Sequence, residues 1–161
     1  MIAADARDRG RLRIAVQRRV RGWTPHNADF ARWVGGALGR RAAGRELGVR
    51  VVGPGESRRL NAHYRGKDQP TNVLSFPAAP LPAAARARPL GDLVICAQVV
   101  RAEARMQGKA VYAHWAHLVV HGALHLIGYD HEREADARRM ERREIRVLRG
   151  LGFANPYRGA S

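Results

Sequence analysis

The segment from His121 to His131 constrains this 161-residue chain more than any other part of its sequence. His121 and His125 are four positions apart, so on a helix they share one face, with Cβ atoms about 5–6 Å apart. Gly128 can adopt a positive φ, which lets the helix end and brings His131 back towards the same point. Three imidazoles with no fourth protein ligand are typical of a catalytic zinc site, where water takes the open position. The spacing therefore predicts a central helix that binds one Zn²⁺ ion through these three histidines.

The same spacing reproduces the metal-binding frame of the metzincin proteases, H-E-x-x-H-x-x-G-x-x-H. One position differs, because Gly122 stands where those enzymes carry the glutamate that acts as general base. The sequence keeps the metal frame but lacks the protease base. A metalloprotease is therefore the weakest of the functions that this frame suggests.

Composition describes a strongly basic protein. Lysine and arginine total 29 against 14 acidic residues, which gives a formal net charge of +15. Such a field attracts polyanions, and nucleic acid is the commonest of them. The sequence has no apolar run of about 18 residues, no apolar core of a signal peptide, and one cysteine, Cys96. We expect a soluble cytoplasmic protein with a nucleic-acid partner and no membrane span.

Apolar periodicity predicts an α+β fold. Alternating apolar residues predict strands at about residues 12–16 and 47–51, and two further segments bounded by turn residues, at about 71–76 and 93–96, also predict strands. Helical spacing predicts helices that start near Pro25 and Pro54, and three more at about residues 97–107, 111–127 and 132–149. The last helix is expected to face inward through Met140, Ile145 and Leu148. We predict a small, mostly parallel four-stranded sheet covered by helices, in one domain over residues 11–157, between a flexible N-terminal tail (1–10) and a C-terminal tail (158–161).

Three blocks of the sequence resemble the bacterial YbeY family of endoribonucleases, the rRNA maturation factors. They are the histidine block at 117–131, the block Leu60–Pro77 with its Tyr-Arg-Gly-Lys-Asp run, and Gly91-Asp-Leu-Val-Ile-Cys96. The likeness spans about residues 47–157, most of the predicted domain. It implies a zinc-dependent, single-strand-specific endoribonuclease that acts in 16S rRNA 3′-end maturation and ribosome quality control. The implied partners are single-stranded RNA or rRNA and the ribosome or its small subunit.

The resemblance also implies roles for individual residues. It places the metal ligands on the three histidines of the frame and an important arginine on Arg65. Arg65 is the candidate catalytic residue that stabilises charge on a phosphodiester during cleavage, and Lys67 is a weaker candidate for RNA contact. His117 and Asp130 are candidates to orient the ligands. A packing role for His117 and a turn-forming role for Asp130 are equally consistent with the sequence.

Several alternatives stay open at this level. With Gly122 in place of glutamate, the nucleophile is either a metal-bound water or the ribose 2′-hydroxyl. Zinc can lower the pKa of a bound water to about 7. A non-catalytic ribosome-assembly factor with structural zinc explains the charge and the buried helix equally well, although three ligands with an open position favour an enzyme, since structural zinc usually has four. Nickel and iron also accept three imidazoles. The sequence does not decide the native metal or the oligomeric state.

Overall fold

The computed structural model describes residues 10–85 and 88–158, and these form four strands and five α-helices. The strands are β1 (Arg13–Arg18), β2 (Glu46–Val52), β3 (Val73–Pro77) and β4 (Pro89–Cys96). The helices are α1 (Asn27–Leu38), α2 (Pro54–Arg65), α3 (Ala97–Gln107), α4 (Val111–Leu126) and α5 (Glu134–Gly150), with a 3₁₀ turn at Gly39–Ala42 after α1. The predicted tails lie almost entirely outside the described residues, and the domain limits between them stay a prediction.

The four strands form one sheet in the order β1-β2-β4-β3. β1 pairs with β2, and β2 with β4, in parallel, whereas β3 runs antiparallel to β4. Parallel neighbours need a crossover connection, and α1 supplies it between β1 and β2. The predicted α+β fold with a mostly parallel four-stranded sheet is confirmed. β3 is an edge strand of this sheet and packs against α4.

The main core lies on one face of the sheet. Alternate residues of β2 point into it, as the period of a strand requires, and they meet buried side chains of α1, α4 and α5. α4 lies at the centre of this layer, between the sheet and α1, α3 and α5, so it is buried on most of its surface. Of the helices in the described part of the chain, none is long and apolar enough to cross a membrane.

The other face of the sheet is only partly covered. Val52, Leu74, Val94 and Cys96 form a small buried cluster there, and Leu60 of α2 packs on it. Towards β1 this face stays open, because Gln17 of β1 and Asp92 of β4 are exposed. The sheet therefore has one fully covered face and one face that α2 covers only beside β3 and β4.

The expected inward face of α5 was wrong at one position. Met140 and Leu148 are buried as predicted, but Ile145 is only half-buried and Glu144 is fully buried in its place. Residues 140, 144 and 148 are separated by one turn each, so they share a helix face, whereas Ile145 lies to its side. A glutamate can occupy this inner position because it meets polar partners on α4 and near the C-terminus, described below.

Candidate metal centre and catalytic cavity

The end of α4 brings the three predicted ligands together. His121 and His125 lie one turn apart in its last two turns, and the helix ends at Leu126. Gly128 has a φ of +102°, a conformation that favours glycine, and the chain reverses there. His131 then lies beside His125, with its Nδ1 2.9 Å from Nε2 of His125. One ligand nitrogen from each histidine lies within 4.8 Å of the other two, a spacing that suits a single ion.

The protonation of these imidazoles also fits a metal. Nδ1 of His121 donates to the carboxylate of Glu144, which leaves Nε2 of His121 as the atom that can bind an ion. Burial lowers the pKa of His125, and the neighbouring His121 and His131 lower it further, to about 4. A neutral imidazole keeps a lone pair for a metal. The donor set therefore fits a divalent ion that accepts imidazole nitrogen.

Glu144 is the carboxylate that holds the first ligand, and sequence reasoning missed it. It is fully buried, and it contacts His121, the hydroxyl of Tyr157, and Nε2 of His117 at 3.5 Å. Burial acts to raise the pKa of Glu144, but the hydrogen bonds from His117, His121 and Tyr157 outweigh it and lower the pKa to about 2. An ionised carboxylate therefore faces His121. The sequence did hold one indication that Glu144 is buried: it lies one helical turn from both Met140 and Leu148, which were predicted to face inward.

His117 lies one turn before His121 on α4, and Asp130 directly precedes His131. Nε2 of His117 is 3.2 Å from the hydroxyl of Tyr157, so His117 belongs to the polar group around Glu144. Asp130 Oδ1 accepts the backbone amides of His131 at 2.6 Å and Glu132 at 3.2 Å. The amides of Glu132 and His131 lower the pKa of Asp130. Asp130 thus shapes the turn that carries His131, and its proposed role in orienting an imidazole stays a prediction, as does that of His117.

The three histidines open onto a cavity of about 470 Å³. Its other walls are the last turn of α2, with Tyr64 and Arg65, and residues 72–77 at and before β3. Arg65 therefore faces the same cavity as the histidines, although it is far from them in sequence. Lys67 is exposed in the turn after α2 and lies outside the described lining of this cavity.

Close packing of α4 on the sheet explains the glycine at the position of the metzincin base. A Cβ atom at Gly122 would lie 2.7 Å from Cδ2 of Leu93 and 3.3 Å from Oγ of Ser75. The Ser75 hydroxyl donates to the Gly122 carbonyl at 3.3 Å. A side chain here would therefore have to move the buried Leu93 side chain, so glycine suits this close approach, and the position supplies a backbone contact and no general base.

A second histidine–glutamate pair lies further back along α4. His114 is buried, and its Nε2 is 3.0 Å from Oε1 of Glu103 on α3. Burial lowers the pKa of His114, and Glu103 only partly offsets this. The side-chain amide of Asn72 donates to the same Glu103 oxygen at 3.0 Å. Because Asn72 also lines the cavity, this pair anchors the part of the cavity wall that precedes β3. Sequence reasoning gave Glu103 and Asn72 no role, although Asn72 lies within one of the three blocks.

Comparison with known proteins decides the family. A family model described as Endoribonuclease YbeY matches residues 24–152, which is most of the chain. The chain belongs to the YbeY family. The protein named Endoribonuclease YbeY of Alkalilimnicola ehrlichii is 53% identical, over 98% of each chain. Its namesake in Methylococcus capsulatus is 54% identical, over 90% of this chain and 95% of the relative.

A solved structure supports the fold. The solution structure of a Thermotoga maritima protein matches with a TM-score of 0.54 and 22% identity, and the match covers 90% of this chain and 99% of that one. At this identity the likeness shows the fold alone. The family membership that the three sequence blocks suggested is confirmed.

Proposed function

We propose that this protein is a zinc-dependent endoribonuclease that cuts single-stranded RNA in the cytoplasm. The observation that carries the proposal is the shared cavity, in which the three histidines face Arg65. The relatives named Endoribonuclease YbeY support RNA as the substrate, and the net charge of +15 supports a polyanion. We further propose, from the family resemblance, that its task is 16S rRNA 3′-end maturation and ribosome quality control, with the small subunit as partner.

In this proposal each residue has a defined task. His121, His125 and His131 hold the ion, and Glu144 keeps His121 oriented. When bound, zinc would supply Lewis-acid polarisation of a phosphoryl oxygen and a more acidic water. Arg65 donates paired hydrogen bonds to the phosphate oxygens, where negative charge grows during cleavage. Lys67 adds an outer phosphate contact.

The lining of the cavity favours a nuclease over a protease. None of the described residues that line it is acidic, and Gly122 stands where a metzincin protease needs its glutamate, packed closely against Leu93 and Ser75. The proton of the nucleophile therefore leaves to solvent or to the phosphate itself, a route that a phosphodiester allows.

The test is cleavage of an end-labelled single-stranded RNA by the wild type and by His125→Ala, purified identically, with chelation and zinc add-back. We expect cutting that disappears in the variant, disappears on chelation and returns with zinc. Equal cutting by both proteins would identify a contaminating ribonuclease and contradict the proposal. No cutting by either, with RNA binding retained, would favour the non-catalytic assembly factor.

The same assay separates the two nucleophiles. If the ribose 2′-hydroxyl attacks, the products carry 2′,3′-cyclic phosphates, and a single 2′-deoxy substitution at the cut site stops the reaction. Efficient cutting of that deoxy-substituted strand would assign the attack to water.

A further inference from the structure

The open face of the sheet carries a second cavity that adjoins the catalytic one. This sheet-face groove, of about 420 Å³, lies over β1, β2 and β4 and is bounded by Tyr64 and Phe76. The same two aromatic side chains line the histidine cavity. The two cavities are therefore neighbours that share one aromatic wall, formed by Tyr64 and Phe76.

The Tyr64 side chain is exposed to solvent, but its ring contacts two neighbouring rings. Its side chain is 60% exposed, at the last turn of α2 and directly before Arg65. The ring packs edge-on against Phe76, with centroids 4.9 Å apart, and against His63, at 4.6 Å. These contacts hold the ring in place while more than half of the side chain stays open to solvent. Such a surface suits stacking on another planar ring, because little freedom is lost when it binds.

The groove beside Tyr64 has the mixed chemistry that a nucleobase requires. Val94 and Leu60 form an apolar floor, while Gln17, Arg50 and Asp92 bring polar groups to its lining. An ion pair with Glu56 at 3.0 Å holds the Arg50 guanidinium. Amide, guanidinium and carboxylate groups are the side-chain groups that bond to base edges, and the volume lies in the range of pockets for small ligands.

We propose that the sheet-face groove binds a nucleobase of the RNA strand next to the cleaved phosphate, with Tyr64 stacked on that base. The identity of the strand rests on the proposed function. Arg65 then holds a phosphate in the histidine cavity, while Tyr64, in the wall that the two cavities share, holds a neighbouring base in the groove. A base that is paired inside a duplex is not free to stack on a protein ring. The groove thereby supplies a physical reason for preference for single strands.

The test is fluorescence anisotropy of a labelled single-stranded RNA with the full-length protein, under chelation so that the RNA stays intact. Tyr64→Ala should weaken binding about tenfold, the loss typical of one stacked base. Tyr64→Phe should retain most of the affinity, because stacking needs the ring and not the hydroxyl. Trp23→Ala removes an aromatic side chain of similar exposure, 52%, outside both cavities and should bind like the wild type. Thermal unfolding of each variant checks that the fold is kept.

A series of RNAs with one abasic position each then locates the base. At one position the missing base should weaken wild-type binding about tenfold, and Tyr64→Ala should add no further loss there. Binding by Tyr64→Ala equal to the wild type, or the same added loss at every position, would overturn the assignment. The cleavage assay keeps the two proposals apart. If the Tyr64→Ala and abasic losses are non-additive but no RNA is cut, the base site stands and the nuclease proposal fails. If zinc-dependent cutting is seen but Tyr64→Ala binds like the wild type, the nuclease proposal stands and the base site fails.

Discussion

Two histidine–glutamate pairs lie along α4, and they differ in what each histidine meets on its other side. His121, paired with Glu144, has a side chain that is 27% exposed and opens onto the cavity beside two further imidazoles. His114, paired with Glu103, is 4% exposed and has no such opening. Both pairs join an imidazole nitrogen to a carboxylate, through Nδ1 in His121 and Nε2 in His114. A histidine oriented by a carboxylate therefore becomes a candidate metal ligand only where its second nitrogen reaches open space and other ligands.

The two pairs nevertheless both support residues that line the same cavity. Glu144 holds a ligand, whereas Glu103 holds Asn72 in the wall that precedes β3. We infer that the His121–Glu144 pair serves the metal centre directly, whereas the His114–Glu103 pair only supports the cavity wall. The following experiments test that difference, each with a matched control from the other pair or from the surface.

The largest contrast is expected between His125→Ala and His114→Ala. The first removes one of three ligands and should lower zinc affinity roughly 100-fold or more, since each ligand carries a few of the about 10–16 kcal/mol that such sites gain from zinc. The second should keep one zinc per chain. Metal content after dialysis and titration against a competing chelator measure both. Loss of zinc from His114→Ala in a folded protein would end the distinction between the two pairs.

Arg65→Ala should lower kcat/KM for single-stranded RNA about 10²–10³-fold, because the charge that grows on the phosphate loses its donor. Arg59→Ala removes the same charge from the same helix, outside the histidine cavity, and should cost only a few-fold through the general field. The measurement is initial rates of cleavage with zinc saturating. Equal losses in the two variants would mean that α2 contributes charge but no specific contact.

Glu144→Gln should weaken zinc binding about 10–100-fold, the usual effect of removing the carboxylate that orients a ligand histidine. Glu103→Gln is its control, because it alters the other pair by the same change. That variant should keep zinc affinity within a factor of about two. Chelator competition gives both values without reference to activity. Unchanged affinity in Glu144→Gln would reduce Glu144 to a packing residue.

The smallest effect on chemistry is expected from Glu103→Ala, which should act on stability. Removal of the carboxylate leaves buried His114 and the Asn72 amide without their partner, at a cost of about 1–3 kcal/mol in the free energy of unfolding. Urea unfolding measures it, with exposed Glu141→Ala as the control. The loss should be equal with and without zinc. A loss that appears only in the zinc-bound protein would join this pair to the metal site.

The sequence predicted most of the fold because its signals are local. Alternation of apolar residues predicted the first two strands, short segments bounded by turn residues predicted the other two, and helical spacing predicted the helices that cover them. β4 starts at Pro89 and not near Leu93, because its pairing with β2 continues past the compact apolar run. The side-chain period identifies a strand but not how far its partner extends.

The spacing of the histidines was enough to predict the metal centre, because two imidazoles four residues apart share a helix face and Gly128 lets the chain bring His131 back to them. The contacts of Glu144 with His121 and of Glu103 with Asn72, and the position of Arg65 in the histidine cavity, became visible only in the folded chain. Those meetings depend on how α5, α3 and α2 pack around α4 and β3. A glutamate such as Glu144 is predicted to be a surface residue, because the polar partners that stabilise its buried carboxylate lie on other helices and segments.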